Sequence, residues 1–216
     1  MDWSVMLLKL AEGMLKSVEI FTLTLLLSLP LGLFVAFGRM SKNILIRNII
    51  KFYISIMRGT PLMLQLMVVY FGPYYIFGLT LPRGYRFWAV IIGFVLNYAA
   101  YFAEIYRAGI ESMPLGQYEA AKVLGYNQSQ TFMRIILPQV IKRILPPVTN
   151  EVITLIKDTS LAFAIGEFEM FTTARAIASA ESTVTPYIAA GIFYYVFNYI
   201  VAGAMEWCEK KMSYFR

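Results

Sequence analysis

Five charged side chains interrupt long apolar runs in this 216-residue chain, and they are the first candidates for chemistry. They are Arg58, Glu104, Glu151, Lys157 and Asp158. Charged groups are costly in an apolar environment, so residues at such positions are functional candidates by default. Carboxylates and a guanidinium can bind a charged small molecule, or they can pair with one another. Nucleophilic and metal chemistry is disfavoured, because the chain has no histidine and only one cysteine, and its acids form no evident catalytic pair.

Glu151 is the strongest candidate for binding a cationic ligand. It lies in an otherwise uncharged stretch beside Asn150 and Thr154. Its carboxylate could pair with a guanidinium or ammonium group, or it could hydrogen-bond to a neighbouring helix. Arg58 is a candidate for binding a ligand carboxylate. Further candidates for lining the same cavity, with helix packing as the alternative, are Gln65, Met67, Tyr70, Asn97, Tyr98 and Thr154.

Two other charged pairs have structural alternatives. Glu104 and Arg107 are three residues apart, a spacing at which an ion pair can stabilise a helix end. Glu104 is therefore a candidate both for the substrate site and for a helix-end pair. Lys157 and Asp158 are adjacent, and they are candidates for a gate or for another helix-end pair.

The stretch Glu119–Pro138 has the composition of a water-exposed loop between apolar runs. Good helix formers fill Tyr118–Leu124, and Gly125 follows where a helix usually ends in a left-handed residue. Asn127 with Gln130 predicts a capping box for a second helix, and Pro138 predicts a bend. The first helix has an apolar face of small and branched residues, namely Ala120, Ala121, Val123 and Leu124. This compact knob could dock on a partner protein, or it could be a surface hairpin.

The elements that position these residues are predicted to be membrane-spanning helices. The chain is 59% apolar and 15% charged, with a mean hydropathy of +0.62. Four uncharged runs approach the roughly 20 residues that cross a bilayer: Ile20–Gly38, Gly59–Pro82, Phe87–Ala103 and Ser182–Met205. A fifth, more polar helix is predicted near Gln139–Lys157, with its polar face toward protein or a water-filled path. The prediction is an all-α polytopic membrane protein with five transmembrane helices in a single domain, 1–216.

Lysine and arginine placement predicts the orientation. With five spans, twelve of these residues fall on one side and six on the other. The positive-inside rule then places the C-terminus and the Glu119 loop in the cytoplasm and the N-terminus outside. The net charge of +6 is explained by membrane insertion and gives no reason to expect nucleic-acid binding.

One spacing resembles a known family motif. The pattern E-A-A, three residues, G, nine residues, I-x-L-P is present without a gap from Glu119 to Pro138. It resembles the EAA loop of the permease subunits of ABC importers. Stretches that resemble polar amino-acid permeases are Arg58–Gly59–Thr60–Pro61, Ala103–Glu104–Ile105, Leu145–Pro146–Pro147 and Lys157–Asp158–Thr159–Ser160–Leu161. The resemblance runs from about Gly13 to the C-terminus.

The resemblance implies a type I ABC importer permease fold and a multi-pass protein of the prokaryotic cytoplasmic (inner) membrane. It implies that a coupling loop, about residues 111–138, docks on a separate ATPase subunit. The docking residues implied are Gln117, Glu119, Ala120, Ala121, Lys122 and Gly125. It further implies two ATPase chains that bind ATP and magnesium, a second permease chain (identical or a sister chain), and an extracytoplasmic substrate-binding protein. The chain itself would then hold no cofactor and would not be an enzyme.

The substrate implied is a polar amino acid, and Glu151 favours a basic one such as arginine, lysine or histidine. An ion-coupled secondary transporter that uses Glu104 and Glu151 is the alternative. Such transporters usually show an internal repeat and paired broken helices, and neither is evident here. The chain also lacks a phosphate-binding G-x-x-x-x-G-K-[ST] motif, which agrees with ATP hydrolysis by a separate subunit.

Overall fold

The computed structural model describes residues 2–82 and 84–212, and every regular element within those ranges is a helix. The α-helices are α1 (Trp3–Arg39), α2 (Ile44–Gly59), α3 (Leu62–Phe77), α4 (Tyr85–Glu111), α5 (Leu115–Val123), α6 (Gln128–Thr131), α7 (Leu137–Asp158), α8 (Met170–Glu181) and α9 (Thr185–Lys211). A π-helical turn, Phe132–Ile136, precedes α7, and a 3₁₀ segment, Thr159–Ile165, follows it. The all-α prediction is confirmed.

Within the described ranges, α1, α4 and α9 are long and apolar enough to cross a membrane. Helices α2 and α3 qualify as a fourth span only when they are counted as one, and they are bent by 111° at the break between them. Helix α7 covers the predicted lining helix Gln139–Lys157, but it is too polar to qualify by composition. The count of five spans and the sides of the two termini therefore stay predictions. Arg83 and Arg216, which enter the charge count, lie outside the described residues.

The second apolar run differs from its prediction as a single span. Helix α2 ends at Gly59, Thr60 is extended, and α3 begins after Pro61. A residue before proline is disfavoured in helical conformation, and this explains the position of the break. Helix α3 then ends at Phe77, and the left-handed φ of 64° at Gly78 lets the N–H of Leu79 bond back to the carbonyl of Pro73 at 3.1 Å. The span predicted to run from Gly59 to Pro82 is thus a shorter helix.

Helix α4 is the centre of the fold and packs closely against α1. Ser28, Gly32 and Ala36 on α1 are all buried, and small residues spaced four apart allow close helix approach. A Cβ atom at Gly32 would lie 2.8 Å from the Cβ of Phe102 and 3.2 Å from the carbonyl oxygen of Ala99. The two helix backbones can therefore approach this closely only because residue 32 has no side chain.

A fully buried carboxylate, Glu169, fixes the second half of the fold. It caps the start of α8 by accepting bonds from the N–H groups of Phe171 (2.7 Å) and Thr172 (2.8 Å). It also accepts bonds from Ser17 on α1 (3.3 Å) and Tyr194 on α9 (3.1 Å). Burying a carboxylate is costly unless donors surround it, and here the donors come from three helices. Glu169 therefore joins α1, α8 and α9.

Replacing Gly32 with alanine tests the close approach of α1 and α4. The added methyl group would force the helices apart and cost about 1–3 kcal/mol. We expect a lower thermal unfolding midpoint for the purified protein in detergent. Gly203→Ala on α9 is the matched control, since nothing lies within 4 Å of its added Cβ and alanine is the better helix former. Equal midpoints for the two variants would contradict the packing assignment.

Candidate functional site

The end of α2, the C-terminal half of α4 and the middle of α7 enclose a cavity of about 430 Å³. It brings together Arg58, Glu104 and Glu151, three of the charged residues singled out from the sequence. The sequence analysis did not predict Arg143 as a lining residue. The spacing could have indicated it, because Arg143, Pro147 and Glu151 follow one another at intervals of four residues on α7 and therefore share one helix face.

Glu104 is the centre of an ion-pair cluster in the wall of this cavity. Arg107 holds its carboxylate through Nη2 at 2.7 Å and through Nε at 3.2 Å from both oxygens. Arg39 on α1 lies 3.6 Å away, and Arg58 at the end of α2 lies 4.0 Å away. The side chain of Glu104 is only 16% exposed. Because three guanidinium groups surround it, Glu104 is better explained as a link between helices than as a ligand for substrate.

Arg58 keeps part of its guanidinium available to the cavity. The group lies over the ring of Tyr101, with 5.2 Å from Cζ to the ring centroid. Its nearest carboxylate, that of Glu104, is at the 4.0 Å limit of an ion pair, and the side chain is 46% exposed. An anionic group that enters the cavity can therefore reach Arg58.

Glu151 is the carboxylate in the cavity that has no close partner. It is half-buried, and within the described residues it makes no hydrogen bond and no ion pair within 4 Å. Thr154 is not its partner, because the Thr154 hydroxyl donates to the carbonyl of Asn150 in the same helix at 2.9 Å. Its carboxylate lies in the cavity wall without a partner among the described residues, so a ligand cation can pair with it.

Gln65 and Asn97, which the sequence analysis named as candidates, are not among the residues that line this cavity. Both amides donate to the carbonyl of Met57 at 3.0 Å, and Asn97 also donates to Gln65 at 3.0 Å. Gln65 further donates to the carbonyl (3.2 Å) and hydroxyl (2.8 Å) oxygens of Thr60. Pro61 lacks the N–H that a continuous helix would offer to Met57, so these side chains take its place. They hold the break between α2 and α3.

The other candidates for the cavity wall are packed elsewhere. Met67 packs against the core, and Tyr70 stacks on Tyr85 with a centroid distance of 6.2 Å. Tyr98 is 2% exposed and donates to Asp158 at 2.7 Å. The side chain that hydrogen-bonds to Asp158 is thus Tyr98, sixty positions away in the chain. Lys157 is exposed to solvent.

The loop from Glu111 to Pro138 folds as a compact knob, with the local features that its sequence predicts. Helix α5 ends before Gly125, which has a φ of +80°, and Asn127 forms a capping box with Gln130. Glu119, Ala120 and Lys122 are exposed, and Gln117 is partly buried. Ala121 was expected on the exposed apolar face, but it is 1% exposed and packs inside the knob. The bend expected at Pro138 is instead a π-helical turn that ends one residue before α7 begins.

Three large apolar side chains project from α5 and its end into solvent. Leu115 is 77% exposed, Val123 is 87% exposed and Leu124 is 73% exposed. These residues lie on a polar loop. Exposed apolar side chains at such a site are candidates for contact with a partner protein.

Comparisons with known proteins identify the family of this chain. The sequence profile of the family described as "binding-protein-dependent transport system inner membrane component" matches residues 28–214. The L-cystine transport system permease protein TcyL of Bacillus subtilis is 41% identical over 87% of this chain and 79% of the relative. The arginine transport system permease protein ArtQ of the same species is 36% identical over 94% of this chain and 91% of the relative. A provisionally assigned glutamine transport system permease protein of Rickettsia typhi is 34% identical over 95% of this chain and 94% of the relative.

Solved structures share the whole fold. The crystal structure of an amino acid ABC transporter with histidines superimposes with a TM-score of 0.87 at 31% identity, covering 98% of this chain and 99% of that chain. The MetNI methionine ABC transporter in an inward-facing conformation gives a TM-score of 0.72 at 16% identity, which shows the fold alone.

Replacing Glu104 with glutamine tests whether the arginine cluster is structural. The change leaves three guanidinium groups close together without their shared anion, and we expect a loss of about 2–4 kcal/mol in stability. The measurement is the thermal unfolding midpoint of the purified protein. Glu111→Gln is the matched control, because Glu111 pairs with the same Arg107 but its side chain is 54% exposed. An exposed pair contributes at most about 1 kcal/mol, so this control should change the midpoint little. A midpoint for Glu104→Gln no lower than that of the control would refute the role.

Proposed function

The chain belongs to the family of binding-protein-dependent transport system inner membrane components, and we propose that it carries a basic amino acid past Glu151. It is an inner-membrane permease of an amino-acid ABC importer. The observation that carries the substrate proposal is the cavity in which Glu151 has no close partner while Arg58 is accessible. Arginine, lysine and histidine each combine a carboxylate with a cationic side chain.

The cavity suits a free amino acid in size and charge. Its volume of about 430 Å³ falls within the roughly 300–1,000 Å³ of small-molecule sites. Arg58 would bind the substrate's α-carboxylate, and Glu151 would bind its cationic side chain through charge-assisted hydrogen bonds. Relatives named for arginine, cystine and glutamine transport share the family, so the family alone leaves the side chain open. The unpaired carboxylate of Glu151 is what favours a basic one.

The family also implies partners for the two sides of the membrane. The knob formed by α5 and α6 is proposed to dock on an ATPase subunit, one for each of two permease chains, through Leu115, Val123 and Leu124. An external binding protein would deliver the amino acid at the opposite side. In this proposal α1, the α2–α3 pair, α4, α7 and α9 are the five spans, with the knob and the C-terminus in the cytoplasm. The ATPases bind ATP and magnesium, and the permease holds no cofactor.

The ion-coupled alternative receives no support from Glu104. Carrying a proton or sodium ion requires a carboxylate that exchanges its cation. The carboxylate of Glu104 is bound by Arg107 and lies near two further arginines, all fixed on the same protein. Glu151 alone would remain for that role.

Titrating the ATPase activity of the reconstituted importer with amino acids tests the substrate proposal. We expect arginine, lysine or histidine to stimulate hydrolysis in the presence of the binding protein. Glu151→Gln should raise the half-maximal concentration about tenfold or more, because a charge-assisted hydrogen bond is lost. Glu12→Gln, at an exposed position on α1, is the control and should leave the titration unchanged. Stimulation by glutamine or cystine alone, equal in both variants, would exclude the role given to Glu151.

Replacing Gly125 with valine tests the docking knob. A β-branched residue is strained at a φ of +80°, so the turn between α5 and α6 should distort and uptake per ATP hydrolysed should fall. Gly125→Asn is the matched control, since asparagine tolerates this conformation better. Labelled amino-acid uptake and co-purification of the ATPase are the two readouts. Wild-type values of both in the valine variant would count against the knob as the docking element.

A further inference from the structure

The side chains of Gln117 and Gln139 form a reciprocal amide pair that the proposed substrate site does not use. Each amide nitrogen donates to the other's oxygen, and both distances are 2.8 Å. Gln117 lies on α5 and Gln139 lies on the first turn of α7, and both are partly buried. Gln139 also donates to the carbonyl of Ile135 in the π-helical turn at 2.7 Å. One side chain thus joins α5, the π-helical turn and α7.

A second contact lies one turn further along α7, and it holds the start of the turn that connects α4 to α5. Arg143 donates to the carbonyl oxygen of Ser112 at 2.7 Å and to its hydroxyl oxygen at 2.9 Å. Ser112 is the C-cap residue of α4, and Pro114 is the N-cap residue of α5. Residues four apart lie on one helix face, so Gln139 and Arg143 hold the two ends of this short turn from the same side.

Apolar packing closes the contact beneath these polar groups. Met113, Ile136 and Val140 are buried together, and Tyr118 of α5 packs against them. The side of the knob that faces α7 is therefore held by both polar and apolar contacts. Leu115, Val123 and Leu124 remain exposed on the knob.

Helix α7 continues from this contact to the candidate substrate site. Gln139 and Glu151 lie twelve residues apart on α7, about 18 Å at 1.5 Å per residue. Pro146 and Pro147 lie between them and remove two backbone hydrogen bonds of the helix. A movement imposed on the start of α7 would bend the helix at these prolines and shift Glu151.

We propose that the Gln117–Gln139 pair is the rigid link by which movement of α5 is transmitted to α7 and so to Glu151. The proposal rests on the proposed function, because it assigns the step between docking at the knob and a change at the substrate site. Both residues are positioning residues in this scheme. The link stays closed throughout the transport cycle, and the bending occurs at Pro146 and Pro147.

Removing the link should separate ATP hydrolysis from transport. We expect Gln117→Leu and Gln139→Leu each to lower the number of amino acids taken up per ATP hydrolysed about 2- to 30-fold, with hydrolysis retained. The assay uses proteoliposomes that contain the complete importer and labelled arginine, or labelled glutamine if the titration above selects it. Gln117→Glu keeps the acceptor for the Gln139 amide nitrogen but loses the donor to the Gln139 amide oxygen, and its ratio should lie between those of the wild type and Gln117→Leu.

A control on the same helix distinguishes this link from a general loss of helix contacts. The Thr149 hydroxyl on α7 donates to Glu209 on α9 at 2.6 Å. Thr149→Val removes that interhelical bond but leaves α5 untouched, and the ratio should be unchanged. An unchanged ratio in both leucine variants would overturn the link, while the Gly125→Val variant would still report on the docking knob. A wild-type complex without ATP-driven uptake would instead overturn the proposed function, and the link with it.

Cross-linking gives a second test that does not depend on the stability of the leucine variants. Gln117→Cys and Gln139→Cys are combined in a Cys208→Ser background, because Cys208 is the only native cysteine. Before cross-linking this variant lacks the amide pair, so its uptake per ATP hydrolysed should be reduced as in the leucine variants. Joining the two new thiols with a short bifunctional reagent should restore the ratio, since the link never opens. No recovery on cross-linking, or a further fall that is reversed when a reducible cross-link is cleaved, would overturn the proposal.

Discussion

The cluster of arginines around Glu104 is the interaction on which the cavity depends. It joins the end of α1 through Arg39, the end of α2 through Arg58 and the body of α4 through Arg107. Each of these cations would be costly alone in a poorly hydrated wall, and together they share one carboxylate. The cluster therefore holds the end of α2 near α1 and α4, and with it the guanidinium that faces the cavity.

The break between α2 and α3 beside this cluster is a second constraint, and it too arises because polar groups away from water need partners. Polar backbone groups away from water must find partners. Proline at position 61 prevents the helix from supplying one to the carbonyl of Met57, and Gln65 and Asn97 supply it instead. Arg58 follows Met57 directly. The amides that satisfy the break thus also hold the residue proposed to bind the substrate carboxylate.

Local and periodic features of this fold could be predicted from the sequence, whereas long-range polar pairings could not. Hydropathy located α1, α4 and α9, and the residue types around Gly125 predicted the turn and the capping box, because these depend on neighbours in the chain. Asn97 instead bonds to a carbonyl forty positions away, a partner that no local sequence pattern indicates. Asp158 was paired with its neighbour Lys157 because no sequence signal indicated Tyr98. The bend between α2 and α3 was not predicted, because the apolar composition of a run carries no information on the direction of its helices.

Two glutamates of one cavity differ in role because their surroundings differ. Glu104 has cations on three helices, so its charge is already balanced and its side chain is held in place. Glu151 lies on α7, and no donor among the described residues comes within bonding distance. Ordinarily a folded protein avoids leaving a half-buried carboxylate in that state. A transporter can use such a carboxylate, because the unpaired charge binds an arriving cation. The cation dissociates again when the surroundings of the site change. The helix that carries the unbalanced charge is also the one that Gln139 and Arg143 fasten to the knob.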